Sequence, residues 1–266
     1  MTRWIAIAAG TLYLVPLIGE HRGGEHRDET RIPLRHPGWL YGGIALHLLS
    51  LIIDVLLVGA LPLSSMRFGL CALALVVIFG WTVLHRRPQM ESLRTLLVGL
   101  ALVLLGTAQV APDAGGTADL GSPWFLAHVA LILTGLGGLA VSFTLSVLWL
   151  VVRRRLKRKK LRGISRLPTL HTLDRLNYQA MVLGFVSLTA GIAVGGMWAA
   201  TNPEAQLGAD ITIWGTMVLW CWYAVGLHTR LVSGWRGRLA AVFGVGGFVG
   251  LGAMVMVAGL VLQGWH

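Results

Sequence analysis

Residues 124–152 read WFLAHVALILTGLGGLAVSFTLSVLWLVV, a stretch without a single Asp, Glu, Lys or Arg. A helix needs about 20 mostly apolar residues to cross the hydrocarbon core of a bilayer, so this stretch is long enough to span a membrane. Similar apolar stretches recur along the chain and predict eight spans, at residues 4–19, 38–62, 68–85, 94–111, 124–152, 176–200, 210–228 and 239–265. The sequence therefore predicts an all-α fold, a polytopic transmembrane helical bundle.

The composition of the 266-residue chain excludes a soluble globular protein. Hydrophobic residues make up 55% and charged residues only 12%, whereas soluble proteins average about 25% charged residues. Cys71 and Cys221 lie inside apolar stretches and no CxxCH motif is present, which excludes a disulfide scaffold and covalently attached haem. The chain also lacks GxSxG, HExxH and a Gly-rich phosphate loop on a strand.

The positions of the positive charges predict which way the spans point, because Lys and Arg are retained on the cytoplasmic side. If both termini lie outside, every Lys and Arg except Arg3 and Arg67 falls in an inner connector. The run RRRLKRKKLRGISR at 153–166 is interpreted as a juxtamembrane anchor that meets anionic lipid, rather than as a nucleic-acid patch. The first stretch is interpreted as a span, since no small-x-small cleavage site follows its apolar part before Glu20.

Histidines at membrane depth are the candidate functional residues. Those in inner connectors or at the inner end of a span are interpreted as solvated or headgroup residues; they are His21, His26, His36, His85 and His171. The predicted topology places His128 and His266 at the outer face, and His47 and His228 at the inner side. Two imidazoles from different helices can hold a haem iron from both faces without covalent attachment. The alternative is that each ring bonds a neighbouring Ser, Thr or carbonyl.

The fifth span offers neighbours that would suit a flat ligand. Trp124 precedes His128 by one turn, and the same helical face continues through Ile132, Gly135 and Gly138. This face is expected to leave room beside the histidine. The small residues on it are also the kind that allow two helices to approach closely.

The seventh span and the outer mouth contribute further candidates. Asp210, Trp214 and His228 lie along one face of the seventh span, and Trp198 lies at the outer mouth. Tryptophans at a bilayer interface also form ordinary aromatic belts, so a role in ligand binding and a role in anchoring both stay open.

Asp54 lies on the same face of the second span as His47. An unpaired carboxylate is costly inside a membrane. Asp54 is therefore expected to have a partner, which is either His47 or a group on a neighbouring helix.

Four segments, taken in order, carry a resemblance to a known family. LDRLNYQAMVLGFVSLTAGIAVGGMWA at 173–199 has the spacing LDxLxYRxIxxGFPxLTxGIxxGAxWA, and WGTMVLWCWYAVGLHTR at 214–230 closes in LHTR. WFLAHVALILTGLGGLAVSF at 124–143 carries a histidine near the outer face, and the chain ends in GWH at 264–266. Together these segments resemble the CcsA, ResC and CcmC type of cytochrome c assembly protein.

The resemblance implies roles for the four histidines. His128 and His266 match the family's pair for an externally exposed haem. His228 matches a membrane-embedded haem ligand, and His47 would supply its partner. Together with the neighbours identified from the spans, the predicted haem-binding set is His128, His266, His228, His47, Trp124, Trp198, Asp210 and Trp214, with the four histidines as ligands of the iron.

The likeness covers residues 68–266, a cytochrome c assembly-like transmembrane domain, and leaves 1–67 as an N-terminal two-span segment. It departs from the family in two places. The tryptophan-rich outer loop WGxxWxWDPKE is reduced to TNPEAQLGADITIW, in which only Asp210 survives, and Gln179 stands where the family has arginine. Short relatives of the HemX and YpjD kind have the same reduced loop, and the chain looks closest to them.

We therefore expect a multi-pass protein of the bacterial inner membrane that holds haem b noncovalently and handles or exports it for cytochrome c assembly. No bond chemistry of its own is expected. The expected partners are haem, proteins of cytochrome c assembly or haem biosynthesis, and membrane lipid, without nucleic acid. Two alternatives stay open: a HemX-like membrane regulator of haem biosynthesis, and a b-type electron-carrier cytochrome.

Overall fold

The computed structural model describes residues 2–22, 38–58, 65–84, 89–111, 122–159, 167–201 and 211–263. These residues form helices and, within the ranges given, no strand. The helices are α1 (Thr2–Arg22), α2 (Gly38–Val58), α3 (Met66–Leu84), α4 (Glu91–Val110), α5 (Pro123–Lys157), α6 (Leu170–Thr201), α7 (Ile211–Val232) and α8 (Arg238–Gln263). Each predicted span coincides with one of them, so the prediction of an all-α fold is confirmed.

Within the described residues, six helices are long and apolar enough to cross a membrane, namely α2, α3, α4, α5, α6 and α8. In α1 the apolar part covers Thr2–Val15. The chain is thus a polytopic membrane protein. The count of eight spans and the position of both termini outside the cell stay predictions.

The helix α5 shows how local sequence sets a helix start. The Ser122 hydroxyl accepts a hydrogen bond from the Phe125 amide at 3.4 Å, and Pro123 occupies the first turn. The helix then runs for 35 residues, about 52 Å at 1.5 Å per residue, and ends at Lys157. It is therefore longer than the hydrocarbon core, which is about 30 Å thick.

The described residues fall into two compact units. The first contains Met1–Phe79 and Leu97–Asp119. In it, α1 and α2 pack closely where Gly43 faces the ring of Tyr13, because a Cβ at Gly43 would lie only 2.6 Å from the Tyr13 Cε1 atom. The Arg3 guanidinium on α1 also donates to the backbone carbonyl of Gln109 at the end of α4, at 3.1 Å.

The second unit contains Gly80–Leu96 and Leu120–His266. Its apolar core is built by α5, α6, α7 and α8, and the buried residues are Leu139, Met181, Leu188, Leu219, Tyr223, Leu227 and Leu251. Hydrogen bonds join His128 at the start of α5 to Gly191 in the second half of α6, and Arg230 at the end of α7 to Asp174 at the start of α6. Neighbouring helices in this unit are therefore antiparallel.

The closest packing in the second unit is between α5 and α6. A Cβ at Gly138 would lie 2.8 Å from the Cα atom of Gly184, and one at Gly135 would lie 2.9 Å from the backbone nitrogen of Leu188. The face through Ile132, Gly135 and Gly138 is therefore filled by α6. The expectation that this face leaves room for a flat ligand is wrong, because its small residues bring two backbones together instead.

Candidate functional site

His128 is the candidate ligand with the best-defined geometry. It lies on the second turn of α5, half-buried, and its Nδ1 atom is 2.7 Å from the backbone oxygen of Gly191 on α6. A carbonyl oxygen can only accept, so Nδ1 is the donor and carries the hydrogen. The neutral ring then has its lone pair on Nε2. A hydrogen bond from one ring nitrogen to a backbone carbonyl is a common way to orient a histidine that binds a metal through the other.

Glycines on α6 make this contact possible. Gly195 lies directly against the His128 ring, so that a Cβ there would overlap its Nδ1 and Cε1 atoms. An aromatic pair stands beside the histidine: the Phe125 ring centroid is 6.3 Å from that of His128 and 4.9 Å from that of Trp198. The His128 ring is thus held between a backbone carbonyl, a bare stretch of helix and an apolar edge.

The other predicted residues of this end are distributed differently. Trp198 belongs to the aromatic pair just described. The side chains of Trp124 and Trp214 are 55% and 65% exposed, so both are free to contact lipid or a ligand. Asp210 and His266 lie outside the described residues. Their predicted part in the site, and that of the tryptophans, stays a prediction.

The opposite end of the second unit carries His228, whose side chain is exposed near the end of α7. Two residues on, the Arg230 guanidinium donates to Asp174 at the start of α6, at 2.7 and 3.2 Å from its carboxylate oxygens. The same guanidinium lies 4.6 Å over the ring of Tyr178. The Asp174 carboxylate also accepts the amide of Gly237 at 3.0 Å. This clasp fixes the end of α7 from which His228 projects.

Asp174 and Arg230 lie in two of the segments that carry the family resemblance, and their ion pair is not among the predictions from the sequence. Opposite charges at the inner ends of consecutive predicted spans were the available signal, because antiparallel neighbours bring such ends together. The ion pair is partly buried and multiply hydrogen-bonded, which is the geometry in which such a contact is strongest.

His47 lies in the first unit, fully buried between α1 and α2. Its Nδ1 atom is 3.2 Å from the hydroxyl oxygen of Tyr13, and its Nε2 atom has no hydrogen-bond partner within the described part of the chain. Asp54 does not pair with it. The Asp54 carboxylate forms an ion pair with Arg67 on α3 at 2.8 Å, so of the two alternatives the partner on a neighbouring helix is correct.

These environments differ in how well they suit a haem iron. His128 fits, because its Nδ1–H donates a hydrogen bond to Gly191, and its Nε2 atom keeps the lone pair that binding to iron needs. His228 is exposed and has the access that a porphyrin requires. His47 has no exposed surface, so iron binding there requires the packing around its ring to open, which includes Tyr13 on α1 and the backbone of Cys71 on α3. Among the described residues, no group of three or more His, Cys, Asp or Glu could hold a bare metal ion.

The fold and these residues define a class of protein: a helical membrane protein that, within its described residues, carries single imidazoles on separate helices and no cluster of metal ligands. Comparison with known sequences gives the family. Residues 39–266 match the family described as cytochrome C assembly protein. The chain belongs to this family.

Known relatives agree with this membership. The chain is 28% identical over 241 residues to the cytochrome c biogenesis protein CcsA of Synechococcus sp. (strain CC9605), covering 78% of this chain and 79% of the relative. It is 26% identical over 234 residues to the CcsA of Gloeobacter violaceus, covering 68% and 69%. To the CcsA of Chlamydomonas reinhardtii it is 30% identical over 147 residues, covering 55% and 41%.

Proposed function

We propose that this protein handles haem as a cargo in the bacterial inner membrane, in support of cytochrome c assembly. Membership of the assembly family and the biogenesis names of its relatives support the role in assembly. The observation that carries the haem part is the 2.7 Å hydrogen bond from His128 to the Gly191 carbonyl, because it leaves Nε2 of a half-buried imidazole ready for iron.

Each residue of this end has a defined task in the proposal. His128 binds the iron through Nε2, and His266 binds it from the other face. The Gly191 carbonyl holds the His128 ring in one orientation, so little conformational entropy is lost on ligation. Phe125 and Trp198 supply an apolar edge for the porphyrin. Haem bound here stays noncovalent, as haem b, since the chain has no CxxCH motif.

His228 is proposed as the position at which haem enters. Its side chain is exposed on the second unit, and the clasp between Asp174 and Arg230 keeps its helix end in place. The part of His47, which lies in the first unit, stays a prediction from the sequence. Haem would thus be held first at His228 and then at the outer pair.

The test is the visible spectrum of the full chain, purified in detergent from cells supplied with ample haem precursor. The wild type is expected to show a Soret band that changes on reduction with dithionite. Replacing both His128 and His266 by alanine should lower the ratio of haem to protein, because the predicted topology places no other histidine at the outer face. The matched control is His171→Ala, which removes an exposed histidine at the start of α6.

Three results would overturn the proposal for the outer pair. The first is a colourless wild-type protein from haem-replete cells. The second is a double variant that keeps the wild-type ratio of haem to protein. The third is an H171A variant that loses as much haem as the double variant does.

A HemX-like regulator of haem biosynthesis is the second candidate. The reduced loop at 201–214 favours it, because the tryptophans with which family members present haem are missing. A deletion strain separates the two functions: loss of c-type cytochromes indicates the assembly role, whereas normal cytochromes with accumulated haem precursors indicate the regulatory role.

A further inference from the structure

The C-terminal end of α5, which the sequence predicts to face the cytoplasm, carries a groove that the haem proposal does not use. An open groove is lined by Leu150, Arg153, Arg154, Lys157 and Arg158, which we call the basic groove. These positions repeat at intervals of three and four residues, so they share one face of the helix. An apolar floor and four cations therefore lie side by side on the last turns of α5.

The cations of the basic groove are available to a ligand. Within the described part of the chain, none of the four has a carboxylate partner, whereas Arg67 and Arg230 do. Lys157, Arg154 and Arg158 are exposed. Four like charges on two turns repel one another, so the groove has a standing preference for an anion.

One cation is held in position by the fold. The Arg153 guanidinium lies 5.5 Å over the ring of Trp149, which is itself buried. The Trp149 ring packs against Gly237, where a Cβ would lie 3.0 Å from its Cζ2 atom, and the Gly237 amide donates to Asp174. Arg153 is thus anchored through Trp149 to the same clasp that joins α6 and α7, while the other cations of the basic groove are exposed.

We propose that the basic groove binds the phosphate headgroup of an anionic phospholipid, with an acyl chain against Leu150. The membrane supplies this ligand at the right depth, because α5 outruns the hydrocarbon core and carries the groove just beyond its apolar stretch. Guanidinium groups bind phosphate oxygens in pairs, and an apolar floor suits a lipid better than a free ion or an acidic protein. The inference is a specific site rather than general anchoring, and it does not depend on haem.

The test compares two double variants that remove the same charge from opposite sides of one segment. R153Q/K157Q removes two cations of the basic groove, and R155Q/K159Q removes two exposed cations outside it. The full-length protein in detergent is titrated with phosphatidylglycerol or phosphatidylcholine, and bound lipid is counted by native mass spectrometry. We expect R153Q/K157Q to lose roughly tenfold in affinity for phosphatidylglycerol, and R155Q/K159Q to stay near the wild type.

The remaining outcomes decide against the site. Equal losses in the two double variants indicate diffuse attraction without a groove, and equal retention of the two lipids by the wild type indicates no headgroup preference. Displacement of phosphatidylglycerol by millimolar inorganic phosphate assigns the groove to a free anion instead. If R153Q/K157Q binds phosphatidylglycerol as tightly as the wild type does, the proposal is overturned, and the cations serve another partner, such as an acidic protein surface. Thermal unfolding midpoints of the two double variants that equal the midpoint of the wild type show that both variants are folded.

Discussion

At the scale of single residues, Gly195 decides whether His128 can reach its acceptor. The Gly191 oxygen is the expected α-helical acceptor for the amide one turn later, and it has a second lone pair to offer the His128 ring. That lone pair is reachable only because Gly195 has no side chain above it. A bare position on one helix thereby fixes the tautomer of a histidine on another.

Alanine at position 195 should therefore cost more than its size suggests. In G195A the new Cβ displaces the His128 ring and breaks its bond to Gly191, because the ring occupies the space the methyl group needs. Overpacking of this kind costs about 1–3 kcal/mol, a roughly fivefold or larger loss of haem affinity if the ring position governs binding. Titration of the haem-free protein with haem measures it.

The matched control is the neighbouring glycine. A Cβ at Gly196 meets nothing within 4 Å, so G196A changes the same helix by the same methyl group without touching the ring. Equal haem affinities for G195A and G196A would show that the hydrogen bond to Gly191 does not govern binding at His128.

At the scale of residues, the sequence identifies candidate side chains but not the backbone atoms that they contact. His128 was identifiable because a histidine among apolar residues is conspicuous. Its acceptor was not, since every residue has a carbonyl and only the crossing of α5 and α6 selects Gly191. The partner of Asp54 was left open for the same reason: both alternatives satisfy the charge, and the start of α3 had to be placed in space before Arg67 could be chosen.

At the scale of elements, the seam between α5 and α6 is a contact of backbones. Lipid tails are as apolar as most side chains, so close packing rather than water exclusion holds membrane helices together. A Cβ at Gly184 would lie 2.9 Å from both the Gly135 oxygen and the Leu139 backbone nitrogen. Backbone atoms cannot rotate away as a side chain can, so the seam tolerates no added volume.

This difference predicts opposite effects for one kind of substitution. Alanine is a better helix former than glycine by about 1 kcal/mol, so G106A, where a Cβ meets nothing within 4 Å, should leave stability unchanged or slightly raised. In G184A the overlap with α5 should outweigh that gain, at a cost of about 1–3 kcal/mol. Thermal unfolding midpoints in detergent, followed by loss of the monodisperse peak, measure both variants. A G184A midpoint at or above that of G106A would contradict the tight seam.

Helix identities were predictable from the sequence, and helix ends were less so. Apolarity marks the part of a helix that lies in hydrocarbon, whereas capping groups mark where the helix itself starts. The predicted sixth span begins at 176, yet α6 begins at Leu170, where the Thr169 hydroxyl accepts the amide of Thr172 at 3.1 Å. The charged residues between these two positions are helical, and this extra helical turn positions Asp174 for its ion pair with Arg230.

At the scale of the whole molecule, the outer histidine pair depends on how many times the chain crosses the membrane. The helix α7 is not among the six that qualify as spans by length and apolarity. From its contacts with α6 we nevertheless predict that it crosses. The Trp220 indole donates to the Thr189 hydroxyl at 2.8 Å in the middle of α6, and Arg230 binds Asp174 at its start. Since α6 qualifies as a span, a helix alongside it from middle to end shares its depth.

Crossing by α7 makes a prediction about the last residue. If α5, α6, α7 and α8 all cross, the chain returns after α8 to the side on which α5 begins, and His266 lies on the side of His128. Alkaline phosphatase fused after residue 266 should then be active in a bacterial host, and green fluorescent protein fused there should be dark. Fusions in the loop between α7 and α8, at Arg236, should show the reverse. If both positions report the cytoplasm, α8 does not cross, and His128 must find its second imidazole elsewhere than at residue 266.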